Sequence, residues 1–340
     1  MKYGVDELVI LGHGSGGTLT NQLIREVFQE AFANPVLDEM LDAAVLQAPG
    51  GRIAFTTDSF VVDPIFFPGG DIGTIAVCGT VNDLAVSGAE PLYLSAGFII
   101  EEGLPIADLQ RIVQSMREAA RAAGVHVVTG DTKVVGRGSA DKVFINTAGI
   151  GVLPEGRSLS PRRVEIGDAV LISGTMGDHG LTILAQREGL SFSTPVESDC
   201  APLNRIAKAI MDAGGDGVRC MRDPTRGGLA TTLNELALQS NKGILIREES
   251  IPLRREVVAA CEMLGLDPLY LANEGKLIVI AAPQAADGIL QAMRSLPEGK
   301  GSVQIGRVLA EDAGLVLLET ELGTTRIIGM LEGEPLPRIC

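Results

Sequence analysis

The sequence lacks paired cysteines, basic clusters and long apolar runs, and each absence removes a class of function. Its five cysteines, Cys78, Cys200, Cys220, Cys261 and Cys340, are odd in number, dispersed and without a CxxC pair. They offer no zinc site and fit a reducing compartment. No basic run relieves the net charge of -15, so nucleic acid, whose phosphates would be repelled, is excluded as a partner. No apolar stretch approaches the roughly 20 residues that cross a bilayer. Met1–Glu7 has no charged segment leading into an apolar one, so no signal peptide is expected and the expected location is cytoplasmic, with no membrane partner. The 3 histidines, His13, His126 and His179, have no metal-ligand spacing. His126 lies in an apolar strand run and reads as a core residue.

What is present is a chain that can bury sizeable cores. Hydrophobic residues make up 46% of 340 residues, enough for about two domains, and the 42 glycines sit in short clusters between apolar runs. Strands are expected at Arg52–Thr57, Leu92–Ile100, Val125–Thr129, Val143–Ile150, Ala169–Ser173, Gly243–Ile246, Lys276–Ala281, Ser302–Val308 and Leu315–Glu319. Helices are expected at Thr18–Ala33, Ile72–Ser87, Pro105–Ala123, Gly180–Glu188, Pro202–Asp212, Gly227–Gln239, Pro252–Leu264 and Gln284–Leu296, with Pro105 and Pro252 in first turns. The alternation reads as α/β or α+β layers. Leu153–Pro161, with two prolines, a glycine and no apolar periodicity, is the expected boundary. It separates an N-terminal domain (1–155, with 1–40 as glycine-loop and helix lead-in) from a C-terminal α/β domain (156–330) and a tail (331–340).

Four aspartates stand where chemistry is possible. Asp58 follows a strand run, Asp131 follows another in Gly130-Asp131-Thr132-Lys133, and Asp223 opens Asp223-Pro224-Thr225-Arg226-Gly227-Gly228 before a helix. Asp83 lies mid-helix among apolar residues, on one stripe with Thr80 and Ser87, where a carboxylate is costly unless paired or cation-bound. Together they suit a hard cation such as Mg²⁺, which takes oxygen ligands and bridges to phosphates. Singly, each of the others serves equally well as a helix or turn cap.

Gly12-His13-Gly14-Ser15-Gly16-Gly17 follows an apolar run and precedes a helix pattern, so its amides suit an anion. The string matches GxGxxG at Gly12, Gly14 and Gly17, but Thr18 stands where a Walker A loop requires lysine. Gly174–Gly180 reads as a tight turn needing positive φ. Lys133 shares the Asp131 loop and is placed to neutralise phosphate, or is a plain surface lysine. Glu274, in Asn273-Glu274-Gly275, is a candidate general base or a turn residue.

The last eight residues, Gly333–Cys340, contain Pro335 and Pro337, which forbid a helix and favour an extended arm. The arm projects a thiol away from the core. Prenylation does not explain it, since that signal needs cysteine fourth from the end and Pro337 stands there.

Asn82-Asp83, Gly130–Lys133, Asp223–Gly228, Asn273–Gly275 and the closing Pro337-Arg338-Ile339-Cys340 resemble, in order and over nearly the whole chain, the HypE family of hydrogenase maturation factors. That family lies within the PurM-like (aminoimidazole ribonucleotide synthetase-like) superfamily. The resemblance implies a two-domain PurM-like fold, with the N-terminal domain pairing into a β-barrel core in a homodimer and ATP and Mg²⁺ bound between domains. It further implies that a carbamoyltransferase, HypF, loads Cys340, that the chain dehydrates the S-carboxamide to a thiocyanate, and that the HypC–HypD complex accepts the cyanide for the [NiFe] hydrogenase iron. Cys340, Lys133 and Glu274 would then be catalytic. Gly12, Gly14, Ser15, Gly16, Gly17, Asp83, Gly130, Asp131 and Asp223 would bind nucleotide, and Asp58, Asp83, Asp131 and Asp223 the metal. The tail is expected to alternate between an exposed loading state and a tucked reacting state. Competing readings are another PurM-like enzyme, a non-catalytic nucleotide-binding scaffold and, resting on the glycine string alone, a Rossmann dehydrogenase.

Overall fold

The computed structural model describes residues 17–23, 44–48, 51–190, 196–333 and 339–340. Gly12, Gly14, Ser15, Gly16, Pro335 and Pro337 lie outside them, so the expected glycine loop and the proline arm are not seen. Of that loop only Gly17 is described, at the start of α1 (Gly17–Leu23).

The N-terminal half is built on a five-stranded sheet ordered β1-β2-β7-β5-β6. Its strands are β1 (Ala44–Ala48), β2 (Gly51–Phe60), β5 (Glu90–Glu101), β6 (His126–Val135) and β7 (Val143–Leu153), while β3 (Phe66–Phe67) and β4 (Gly70–Asp71) form a separate small ribbon. Only β5 and β6 run parallel. On β7, inward residues such as Ile145 and Thr147 alternate with outward ones, the period-2 signature of a half-buried strand. One face is covered by α2 (Ile72–Val86), with α3 (Ile106–Ala123) packed alongside it. Asp71 caps α2 by accepting from the Thr74 amide at 2.9 Å. Because α2 is apolar nearly all round, it is buried from both sides, by the sheet and by α5 (Asn204–Gly214) of the second half. The opposite sheet face exposes Phe55, Tyr93, Ile99, Ile150 and Val152.

The C-terminal half carries a seven-stranded sheet ordered β14-β13-β10-β12-β8-β11-β9. Its strands are β8 (Ala169–Ile172), β9 (Val218–Arg222), β10 (Gly243–Arg247), β11 (Ile278–Ala281), β12 (Val303–Leu309), β13 (Val316–Glu319) and β14 (Thr325–Ile328). β8 and β11 are fully buried, as their continuous apolar runs require. α5 and α8 (Pro283–Arg294) cover one face, and α6 (Gly228–Ser240) the other. α4 (Asp178–Glu188) and α7 (Arg255–Leu264) pack together at the side. Among the described residues no helix is long and apolar enough to cross a membrane.

Several expectations need correction. The strand expected to stop at Thr129 continues to Val135, because Thr132, Val134 and Val135 keep pairing with β5. Asp131 and Lys133 are therefore strand residues, not members of a loop. His126 begins this edge strand and is exposed rather than core. Pro252 precedes α7, whose N-cap is Arg254, and Pro105 is itself an N-cap residue. β9 and β14 have no counterpart in the expected elements. β9 carries Arg219 and Arg222, and β14 is a short edge strand with mostly exposed side chains.

Candidate active site

The site forms where the end of β2, the middle of α2 and three C-terminal loops meet. Asp58, two residues from the end of β2, faces Arg226 across the domain boundary at 3.7 Å and accepts from its neighbour, the Ser59 amide, at 2.7 Å. Asp83 accepts from Thr56 Oγ1 at 2.8 Å, which joins α2 to β2 and supplies the partner that a carboxylate on so apolar a helix requires. One residue earlier, Asn82 is buried and bridges the two halves. Its amide donates to the carbonyls of Ala201 (3.1 Å) and Glu274 (3.3 Å), and its oxygen accepts from the Leu203 amide (2.7 Å).

Glu274 is held by its main chain. Asp199 accepts from the amides of Glu274 (3.1 Å) and Gly275 (3.2 Å) and pairs with Lys276 at 3.2 Å. A Cβ on Gly275 would stand 1.8 Å from the Asp199 carbonyl oxygen, so only glycine fits this approach. The Glu274 side chain is buried, and its Oε1 has no hydrogen-bond partner. Asn273 donates to the Pro224 carbonyl at 3.0 Å and accepts from the Gly177 amide at 2.7 Å, so it ties the Asp223–Gly228 turn to the Gly174–Gly180 loop. That turn enters α6 through Gly227 and Gly228, both at positive φ.

The last two residues reach this place. Ile339 is buried, and Cys340 packs against the N-terminal core. Val61 donates its amide to the Cys340 carbonyl oxygen at 3.1 Å, and His179 Nε2 lies 2.7 Å from the Ile339 carbonyl. The thiol expected to project outward is seen tucked inward, because Ile339 gains burial that an extended arm in water would forgo.

The acids are crowded and poorly compensated. Burial, then Asp199, Asp58 and Asp223, raises the Glu274 pKa well above the carboxylate range. Burial pushes Asp223 up to about 6, with Arg222 opposing and Asp58 adding to the rise. Burial raises Asp58 also, against Arg226. The Cys340 thiol is raised by burial and by Glu274, while Arg226 is held more basic by Cys340 and, less strongly, Asp58. Cys200 is raised well above the thiol range by its hydrogen bond with Cys78, then by burial. Such mutual repulsion, with one carboxylate oxygen left unpartnered, suits a site that receives a cation.

Asp58, Asp83, Asp223, Glu274 and Cys340 are thus brought together. Asp131 and Lys133 are not. The cross-sheet row Asp58–Thr147–Ala96–Gly130 puts β6 three strand steps from Asp58, about 15 Å. Lys133 is exposed there, and the Asp131 side chain is outside the described set. Among the described residues no three Asp, Glu, His or Cys side chains form a ready metal cage. Asn82 and Arg226 lie inside motifs that stand out in the sequence but carry no role visible there, and Asp199 and His179 are not among the sequence candidates. Asp199 had no local signal. His179, in the first turn of α4, shows in the sequence only the lack of any metal-ligand spacing.

Comparison with known proteins finds relatives over nearly the whole chain. The family model for the AIR synthase related protein N-terminal domain matches residues 40–153, and that for its C-terminal domain matches 165–318. A carbamoyl dehydratase HypE from Bradyrhizobium diazoefficiens is 55% identical over 332 residues, 98% of this chain and 96% of the relative. A solved HypE in complex with ATP is 52% identical with a TM-score of 0.82, covering 98% of this chain and 100% of the other. A solved HypE–HypF complex contains a chain 50% identical with a TM-score of 0.86, covering 92% of this chain and 99% of that one.

Proposed function

Because the chain belongs to the HypE family of carbamoyl dehydratases, built from paired AIR synthase related domains, we propose that the carbamoyl group it dehydrates is carried on its own Cys340. The activity is that of a hydrogenase maturation enzyme, and it depends on ATP. The observation that carries the finer reading is the docked tail: Cys340 beside Arg226 and Glu274, with Ile339 buried behind it.

The electrostatics favour a carrier role. Burial and Glu274 disfavour a thiolate at Cys340 in this position. A sulfur bearing a carbamoyl or cyano group is neutral and meets no such penalty, so the pocket receives the loaded tail better than an ionised one. Glu274, with raised proton affinity and a free Oε1, is the base for the amide protons. Arg226 offsets negative charge developing beside the thiol.

ATP supplies the phosphoryl group that turns the amide oxygen into a leaving group, so S-carboxamide and ATP become thiocyanate, ADP and phosphate. Asp58 and Asp223, which repel each other, would with Asp83 hold Mg²⁺ by their carboxylate oxygens, and the ion would offset their charge and that of the transferring phosphate. Asp131 and Lys133 complete the nucleotide site from the edge strand, entering through a paired copy of the chain. A homodimer is supported by the apolar face of the N-terminal sheet, too large for an idle surface. Gly12, Gly14, Ser15, Gly16 and Gly17, with Gly130, are assigned to the nucleotide. A HypF-type carbamoyltransferase loads Cys340, and a HypC–HypD-type complex takes the cyanide, in a cytoplasm that keeps the thiols reduced.

The test is stoichiometry. Carbamoylated chain given Mg²⁺ and ATP should release one ADP per loaded Cys340, and unloaded chain none. ADP release that ignores loading would remove the proposal.

A further inference from the structure

We propose that His179 is the latch that holds the C-terminal segment in its reacting position, gripping the tail by its main chain rather than by its thiol. The inference rests on the reading of Cys340 as carbamoyl carrier and names the positioning residue that keeps it in place.

His179 stands in the first turn of α4 and is completely buried. A carbonyl oxygen only accepts, so the 2.7 Å contact with Ile339 requires the hydrogen on Nε2. Nδ1 then carries the lone pair and takes the Ser198 hydroxyl hydrogen at 2.8 Å. Ser198 is itself fixed. Its amide donates to the Pro68 carbonyl at 2.9 Å, and its Oγ accepts from the Cys200 amide at 3.2 Å. Phe67 meets the imidazole edge-on, with ring centroids 5.5 Å apart and planes at 83°. Burial lowers the imidazole pKa, which keeps the neutral tautomer that this chain of bonds needs. Ser198 on Nδ1 and Phe67 on one side of the ring do not depend on the tail, so Nε2–H is oriented before the tail arrives.

The last peptide unit is then held from both ends, by His179 on the Ile339 carbonyl and by the Val61 amide on the Cys340 carbonyl. Neither bond involves sulfur. The grip is the same for a free, carbamoylated or cyanated Cys340, which a carrier needs if one docking geometry is to serve both substrate and product. A buried imidazole far from any metal-ligand spacing thus has a use that the dehydration chemistry does not assign it.

The test uses the full-length chain with His179→Leu, His179→Gln and Ser198→Ala. Iodoacetamide labelling of Cys340, followed by mass spectrometry of the C-terminal peptide, reads docking. Single-turnover dehydration of preloaded chain at saturating Mg²⁺–ATP reads its consequence. His179→Leu should label about five- to tenfold faster and turn over slower by a like factor, as expected for losing one buried hydrogen bond. Nucleotide affinity should not change. His179→Gln places an amide N–H near the Nε2 position and should restore most of both readouts. Ser198→Ala, which frees the ring, should give about a twofold effect in the same direction and decides the matter if His179→Leu does not fold. Wild-type labelling and turnover in a folded His179→Leu or in Ser198→Ala would overturn the latch, as would a glutamine variant as impaired as the leucine one. Wild-type chain that labels slowly but never dehydrates would sink the carrier reading and leave the latch standing.

Discussion

Replacing Asp223 by asparagine should make the unliganded protein more stable at neutral pH while disabling it. Asp223 is buried and its pKa is pushed up to about 6 from 3.8, chiefly by desolvation, with Asp58 adding repulsion. Between these values the native chain holds a proton that the unfolded chain has released. Stability therefore falls as pH rises through that window, and the penalty is complete above about pH 6. A rise of about 2 units corresponds to about 3 kcal/mol, an upper bound because Arg222 and Asp58 share in the titration. Unfolding free energies of wild type and Asp223→Asn from urea titrations should coincide near pH 4 and differ by up to that amount at pH 8, the variant being the more stable. Mg²⁺ should raise the wild-type midpoint at pH 8 and leave the variant unmoved. A wild type that is equally or more stable than the variant at pH 8 without Mg²⁺ would refute the argument that this site stores uncompensated negative charge for a cation.

Two other substitutions probe the frame around the acids. Gly275→Ala places a Cβ 1.8 Å from the Asp199 carbonyl oxygen, so the Glu274 loop must move; about 1–3 kcal/mol of stability and most dehydration activity should be lost, checked by thermal melts and ADP release. Asn82→Ala strands the Leu203 amide and the Ala201 carbonyl at the domain boundary and leaves the Glu274 carbonyl only the Ala201 amide; it should cost about 3 kcal/mol in urea unfolding, and a midpoint equal to wild type would show that these bonds do not join the halves.

Much of the scaffold was legible because its elements obey a single period. β7 alternates, α2 is apolar almost throughout and β8 is a short continuous apolar run, so local pattern and tertiary burial agree. Legibility failed where pairing or packing overrode pattern. The polar Gly130–Lys133 stretch looks like a loop, yet it is strand because β5 offers a partner through Glu101. In the site, Asp83 stood out as a charge on an apolar helix, and its partner Thr56 lies on another element that no spacing could reveal. Asp199 and His179 escaped for the same reason. Each acts on residues about 75 to 160 positions away, Glu274 and Ile339 respectively, and such contacts are visible only once the chain has folded. The prolines near the end lie outside the described residues, and their pattern carries no signal for where the thiol of Cys340 rests.

The most direct test of the whole account follows the mass of the C-terminal peptide after a HypF-type enzyme has loaded the chain with a carbamoyl group. On addition of Mg²⁺ and ATP, the account predicts that the peptide ending in Cys340 loses one water, and that Glu274→Gln keeps the carbamoyl mass under the same conditions. A peptide that retains its carbamoyl group in the wild type, or loses water equally well in Glu274→Gln, would contradict it.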